Sequence, residues 1–146
     1  MKAVIQRVSQ ASVTIDGEVV GSIENGLLTL LGVAPDDDAA VIDWMARKLV
    51  GLRVFNDDEG RFNRSLADVG GSMLVVSQFT LFGDVRSGTR PGFSSAAAPD
   101  HANEVYEQFC DRVAELGITV ERGVFGAHMD VALVNDGPVT LMVERP

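Results

Sequence analysis

The sequence predicts an α+β fold: a curved, mainly antiparallel sheet or barrel covered by two helices. Three observations carry this. Most apolar segments alternate with a period of two or form short apolar runs bounded by Gly, Asn and Asp. Only two segments repeat apolar residues at helical spacing. No linker, repeat or compositional break divides the 146 residues, 46% of them hydrophobic, so one domain spanning 1–146 around a sizeable core is expected.

Residues 2–8 and 11–15 alternate as an opening strand, Asp16-Gly17 supplies a hairpin turn, and residues 18–23 return as a second strand. Asn25-Gly26 then turns the chain into an apolar strand over 27–33. After Pro35, Asp36-Asp37-Asp38 puts negative charge at a helix start, and Val41, Ile42, Met45 and Leu49 recur at helical spacing as far as Gly51. The acidic run therefore reads as helix-start chemistry, not a metal site. Residues 52–55 form a short strand, 56–60 a turn and 73–79 an apolar strand. Residues 83–98 are a Gly/Ser/Ala-rich loop, long enough to point to function. The second helix runs from Pro99 to Leu116, with Val105, Phe109, Val113 and Leu116 on one face and Gly117 as its stop. Residues 119–122, 129–134 and 139–143 close the chain as three more strands.

Charge and composition narrow the function classes. A net charge of −9 argues against broad nucleic-acid binding, because phosphate contacts need a basic face. Any RNA contact must be local, and the candidates are Arg86 and Arg90 in the loop and Arg47, Lys48 and Arg53 on or after the first helix. Apolar runs stop short of the roughly 18 residues of a membrane span. The first residues alternate like a strand instead of forming a charged-then-apolar signal. The single cysteine, Cys110, has no partner for an internal disulfide and sits on the apolar side of the second helix. A cytoplasmic protein with a packed core thiol and no membrane partner is expected.

Absences constrain the chemistry. His101 and His128 are the only histidines, and neither is spaced with another metal-ligand type, so neither a metal nor another cofactor is expected. No Gly-x-Ser-x-Gly elbow, phosphate-binding loop or Gly-x-Gly-x-x-Gly run occurs. His128 reads as structural or exposed and His101 as solvated. What remains is a polar run, Ser77-Gln78-Phe79-Thr80, at the end of a buried strand. On a strand, Val75, Ser77 and Phe79 share one face and Val76, Gln78 and Thr80 the other. By themselves these polar groups could simply satisfy neighbouring backbone. Likewise, Asn135-Asp136-Gly137-Pro138 between two apolar strands reads as a turn.

Four runs in this order, from Met1 to about Val143, together resemble the D-aminoacyl-tRNA deacylases: Ala3-Val4-Ile5-Gln6-Arg7-Val8, Ser77-Gln78-Phe79-Thr80-Leu81-Phe82, Phe125-Gly126-Ala127-His128-Met129 and Asn135-Asp136-Gly137-Pro138-Val139-Thr140. The resemblance implies the same architecture, built as a homodimer. It makes the Ser77–Thr80 run the floor of an aminoacyl pocket, with Ser77 and Gln78 binding substrate. Backbone N–H groups around Phe79 and Thr80 would donate to the oxyanion that develops during ester hydrolysis. Phe125 and Met129 correspond to contacts with the terminal adenosine. Gly137-Pro138 would be cis and reach into the partner's pocket, where its carbonyls block an L side chain.

The implied substrate is the tRNA acceptor end carrying a D-amino acid, or glycine, which lacks the side chain such a filter rejects. Glycine mischarged on tRNA(Ala) is the implied glycyl substrate. The implied route is metal-free, assisted by the ribose 2′-hydroxyl, with Thr80 positioning substrate and not serving as an obligatory nucleophile. The role is proofreading in translation. Two rival readings stay open: a non-catalytic tRNA-end binding module, and an acyl-ester hydrolase that uses Thr80 as a nucleophile.

Overall fold

In the computed structural model, which describes residues 1–146, strands β1 (Lys2–Ile15), β2 (Glu18–Ile23) and β3 (Gly26–Gly32) lead into helix α1 (Ala39–Gly51). A small ribbon follows, β4 (Phe55–Asn56) with β5 (Phe62–Arg64), and then strand β6 (Ser72–Ser77). A 3₁₀ turn (Phe79–Phe82), helix α2 (Pro99–Glu115), β7 (Thr119–Arg122) and β8 (Asp130–Glu144) complete the chain. The main sheet runs β2-β1-β3-β6-β7, and β8 also pairs with β1. Pairings through β1 are antiparallel, whereas β3–β6 and β6–β7 are parallel. The predicted class thus holds, as a curved mixed sheet with two covering helices.

The central strands explain the two apolar runs that lack alternation. In β3, Leu27 and Leu31 face the core beneath the helices while Leu28 faces a second cluster inside the curl of the sheet. In β6, Met73 and Val75 face the helices and Leu74 and Val76 the curl. Parallel strands covered on both faces read as continuous hydrophobic runs. The helix side of the core includes Met45 and Leu49 of α1 and Val105, Phe109 and Val113 of α2. Cys110 is buried there, and burial pushes its thiol up to about 12, the behaviour of a packed core thiol. The Tyr106 hydroxyl, also buried, donates to the Val75 carbonyl at 2.8 Å and ties α2 to the middle of β6.

Helix α1 starts where the acidic run predicts, and its aspartates divide the work. Asp38 caps it, accepting from the Val41 N–H at 3.1 Å. Asp37 is buried and accepts from the Met1 ammonium at 2.9 Å and the Ala34 N–H at 2.7 Å. No helix is long and apolar enough to cross a membrane.

Three boundaries differ from the sequence reading. The strand assigned to 73–79 ends at Ser77, and Phe79–Phe82 coil into the 3₁₀ turn. Gln78 still donates its N–H to Leu31 at 2.8 Å, but the alternation that would put Phe79 on the face of Val75 is lost. Gly32 permits this: a Cβ there would meet the Phe82 ring at 3.0 Å and the Gln78 carbonyl at 3.2 Å. The strand assigned to 52–55 is only Phe55–Asn56, and its partner β5 carries no clear sequence signal.

The third difference concerns 129–143. Two strands and a turn were expected, but β8 is one strand with a wide bulge. Val8 pairs with Asn135 and Gln6 with Thr140, so residues 136–139 of β8 bow out opposite Arg7 alone. His101 also departs from expectation: its Nε2 is buried without a hydrogen-bond partner, not solvated.

Candidate active site

The end of β6, the 3₁₀ turn and the Phe125–Met129 segment enclose a cleft of about 570 Å³. Its size suits a small organic group such as an aminoacyl moiety. Ser77, Gln78 and Phe79 line it on one side, Phe125 and Met129 on another, and Phe93 of the long loop closes against Phe79. The Phe79 and Phe93 rings meet edge-on with centroids 5.0 Å apart. Five of the residues singled out from sequence, Ser77, Gln78, Phe79, Phe125 and Met129, are therefore brought together around one largely apolar space. Thr80 stands beside it, exposed, and is not part of its lining.

The break from strand to 3₁₀ turn has a chemical consequence. The first amides of a helical turn have no intrahelical acceptor. Here the Phe79 and Thr80 N–H groups make no hydrogen bond to another backbone carbonyl, whereas Gln78, Leu81 and Gly83 all do. Two adjacent free donors at the edge of an apolar cleft can receive a developing negative charge on a carbonyl oxygen. The hydroxyl of Thr80 is different, because its partner is the Gln78 side-chain amide, which donates to Thr80 Oγ1. An amide N–H cannot take a proton from that hydroxyl, so this contact orients Thr80 without activating it.

The two arginines of the 83–98 loop differ in their engagement. Arg86 binds Asp84 through two bonds of 2.9 and 2.6 Å, and this guanidinium holds the Asp84 carboxyl below the usual carboxylate range. That engagement weakens Arg86 as a free phosphate contact, while Arg90 has no carboxylate partner. His128 lines the cleft mouth with its side chain almost fully exposed.

Gly137 and Pro138 lie outside this cleft, at the exposed tip of the β8 bulge, and the peptide between them is cis. The bulge is held from within. Asn135 Oδ1 accepts from the Val139 N–H at 2.7 Å while its Nδ2 donates to the Val139 carbonyl at 3.2 Å. From β1, Arg7 Nε donates to the Asp136 carbonyl at 2.8 Å, and Nη1 donates to the Val54 carbonyl at 2.9 Å and to Asn56 Oδ1 at 3.2 Å. Arg7 is 6% exposed, with its guanidinium 5.6 Å from the centre of the Phe62 ring. Gly137 has φ +148°, and a Cβ there would meet the Val139 N at 2.9 Å and Arg7 Nη2 at 3.3 Å. Only glycine fits.

Arg7 and Asn135 are positioning residues that the sequence reading did not single out. A signal for Arg7 existed: Ala3, Ile5 and Arg7 share the inward parity of β1, and an inward-facing arginine demands partners.

Fold and site define a class: a curved sheet under two helices, with one apolar cleft whose rim carries free backbone donors suited to an acyl ester. Comparisons with known proteins agree. A family model described as D-Tyr-tRNA(Tyr) deacylase matches residues 4–144. A D-aminoacyl-tRNA deacylase of Exiguobacterium sibiricum is 59% identical over 99% of this chain and 100% of its own. One of Desulfatibacillum aliphaticivorans is 58% identical over 99% of both. Among solved structures, one titled c-Myc DNA Unwinding Element Binding Protein superposes with a TM-score of 0.94 at 39% identity, over 100% of this chain and 99% of the other. A structure titled as a probable eukaryotic D-amino acid tRNA deacylase shares the fold at a TM-score of 0.83 and 19% identity, over 97% of each chain. The chain belongs to the D-Tyr-tRNA(Tyr) deacylase family, a family of carboxylic ester hydrolases.

Proposed function

We propose that this protein hydrolyses the ester of D-aminoacyl-tRNA, and of glycyl-tRNA mischarged on tRNA(Ala), in the cytoplasm, and so proofreads the charging of tRNA. The observation that carries the reading is the pair of free Phe79 and Thr80 amides beside a cleft of aminoacyl size. The amides stabilise the oxyanion, Ser77 and Gln78 orient the ester, and Phe125 and Met129 hold the terminal adenosine. An aminoacyl ester is already activated, so the ribose 2′-hydroxyl next to it supplies the assistance that a protein base would otherwise give. The Gln78 bond to Thr80 supports a positioning role for that side chain.

Chirality is set by exclusion. Gly137 and Pro138 sit exposed on a bulge held by Arg7 and Asn135, outside the lining of their own chain's cleft, which supports their reaching the cleft of a second copy. Their carbonyls there block an L side chain and leave room for a D side chain or for glycine. Light scattering at micromolar concentration should return twice the 15.6 kDa of one chain. A mass that stays at one chain removes the cross-subunit filter.

Multiple turnover of D-tyrosyl-tRNA in EDTA separates the enzyme from a tRNA-end binding module, which would bind the same substrate and release no tyrosine. The nucleophile reading is separated by two further measurements. Thr80→Ala is expected to keep its single-turnover rate within about tenfold of wild type, whereas D-tyrosyl-tRNA ending in 2′-deoxyadenosine should be cleaved at least about a hundredfold more slowly. The opposite pattern, a dead Thr80→Ala with normal cleavage of the deoxy substrate, makes Thr80 the nucleophile.

A further inference from the structure

The chain carries 12 Lys and Arg against 21 Asp and Glu, and seven of its cationic side chains hold a carboxylate at salt-bridge distance. Lys2, Lys48, Arg53, Arg90 and Arg145 do not. Three of these five, Lys48, Arg53 and Arg145, converge on one open groove of about 710 Å³ formed by α1, the Leu52-Arg53 segment that follows it and Arg145. Arg47 lines it too. Its only carboxylate, Asp43, is already shared between Arg47 at 3.1 Å and Arg112 of α2 at 2.7 Å, which hold it below the usual carboxylate range. The groove is therefore a local positive surface on a strongly acidic protein.

The cations are also ordered. Lys48 Nζ lies 5.2 Å from the centre of the Trp44 ring and the Arg145 guanidinium 5.4 Å from it. Trp44 is itself anchored against the main core. An aromatic face holds a cation in place without neutralising it, so both side chains keep their full charge for an external partner. In a chain of net charge −9, an uncompensated, pre-ordered cluster selects a polyanion by charge complementarity.

The groove also stands at a useful distance from the active site. Helix α2 links the two, since Ala102 lines the cleft and Arg112 reaches Asp43 of the groove. Ten helical residues span roughly 15 Å at 1.5 Å each. A few nucleotides of RNA leading away from an ester held in the cleft cover that length.

We infer that the groove around Trp44, with Lys48, Arg53 and Arg145, binds the phosphate backbone of the tRNA acceptor arm and so supplies affinity that the small cleft cannot. This rests on the reading of the cleft as an aminoacyl-tRNA site.

The test compares wild type with a Lys48→Gln/Arg53→Gln/Arg145→Gln variant on two substrates and in one binding assay. On D-tyrosyl-tRNA the variant's KM should rise at least about tenfold with kcat within about twofold, and on D-tyrosyl-adenosine its rate should be unchanged. The affinity for uncharged tRNA should fall, and the slope of log K against log salt should flatten by about two to three, near one for each phosphate no longer neutralised. A charge-keeping variant, Lys48→Arg/Arg53→Lys/Arg145→Lys, should restore most of the affinity. Wild-type tRNA affinity and salt slope in the correctly folded Gln variant overturn the proposal. If wild type cleaves neither substrate, the esterase reading fails, while the tRNA-binding arm still decides the groove.

Discussion

Phe79→Pro is expected to lower the single-turnover rate on D-tyrosyl-tRNA at least about a hundredfold below that of Phe79→Ala. Both variants lose the ring that packs on Phe93, but only proline deletes the backbone N–H. Loss of one preorganised donor to an oxyanion typically costs about 10²–10³ in rate. The position tolerates proline: Phe79 opens the 3₁₀ turn, where its N–H has no intrachain acceptor, and Gln78 before it has an extended φ of −142° with ψ 80°. Stability should therefore change little between the two variants. Equal rates for the proline and alanine proteins would show that the Phe79 amide takes no part in catalysis.

Arg7→Met is expected to destabilise the protein by about 2–4 kcal/mol and to narrow the D-over-L ratio at least about tenfold. Methionine fills much of the same volume but leaves the Asp136 and Val54 carbonyls without their donor, each worth about 1–3 kcal/mol when buried. The ion pair to Asp136 adds little, because that carboxylate is half exposed and 3.6 Å away. The larger functional effect comes from position. Arg7 is the one residue of β1 opposite the bulge, and without its fork nothing from β1 fixes the peptide that presents Gly137 and Pro138. Arg7→Lys should recover only part of the loss, since an ammonium cannot reproduce the guanidinium fork. Urea unfolding and paired rates on the two isomers check both halves, and a stable Arg7→Met with a wild-type ratio would show that the bulge holds itself.

Much of this molecule was legible in its sequence where structure is local. The strands β1 to β3, both helices, the acidic start of α1 and β7 follow from alternation, helical spacing and turn chemistry. The three-strand meander those turns suggest does not form, because β3 returns to pair with β1 instead of β2. The misreadings fall where a distant contact overrides a local preference. Phe79-Thr80-Leu81-Phe82 has the composition of a strand and no Gly or Pro to end it, yet the close approach allowed by Gly32 lets it coil against the end of β3. Asp136-Gly137-Pro138 has turn chemistry, but Arg7, 129 residues away in sequence, holds the segment as a bulge within one continuous strand. Nothing within the local window could have shown that. The cleft residues were legible through their resemblance to a family, whereas the free amides that give the cleft its chemistry became visible only with the strand break.

The central claim is that the cleft hydrolyses an aminoacyl ester and admits it by chirality. Single-turnover release of tyrosine from matched D- and L-tyrosyl-tRNA, on the same tRNA and at saturating protein, tests it most directly. The D ester should be cleaved at least about tenfold faster, a difference of about 1.4 kcal/mol in the barrier. Equal rates on the two isomers, or faster cleavage of the L ester, would contradict it.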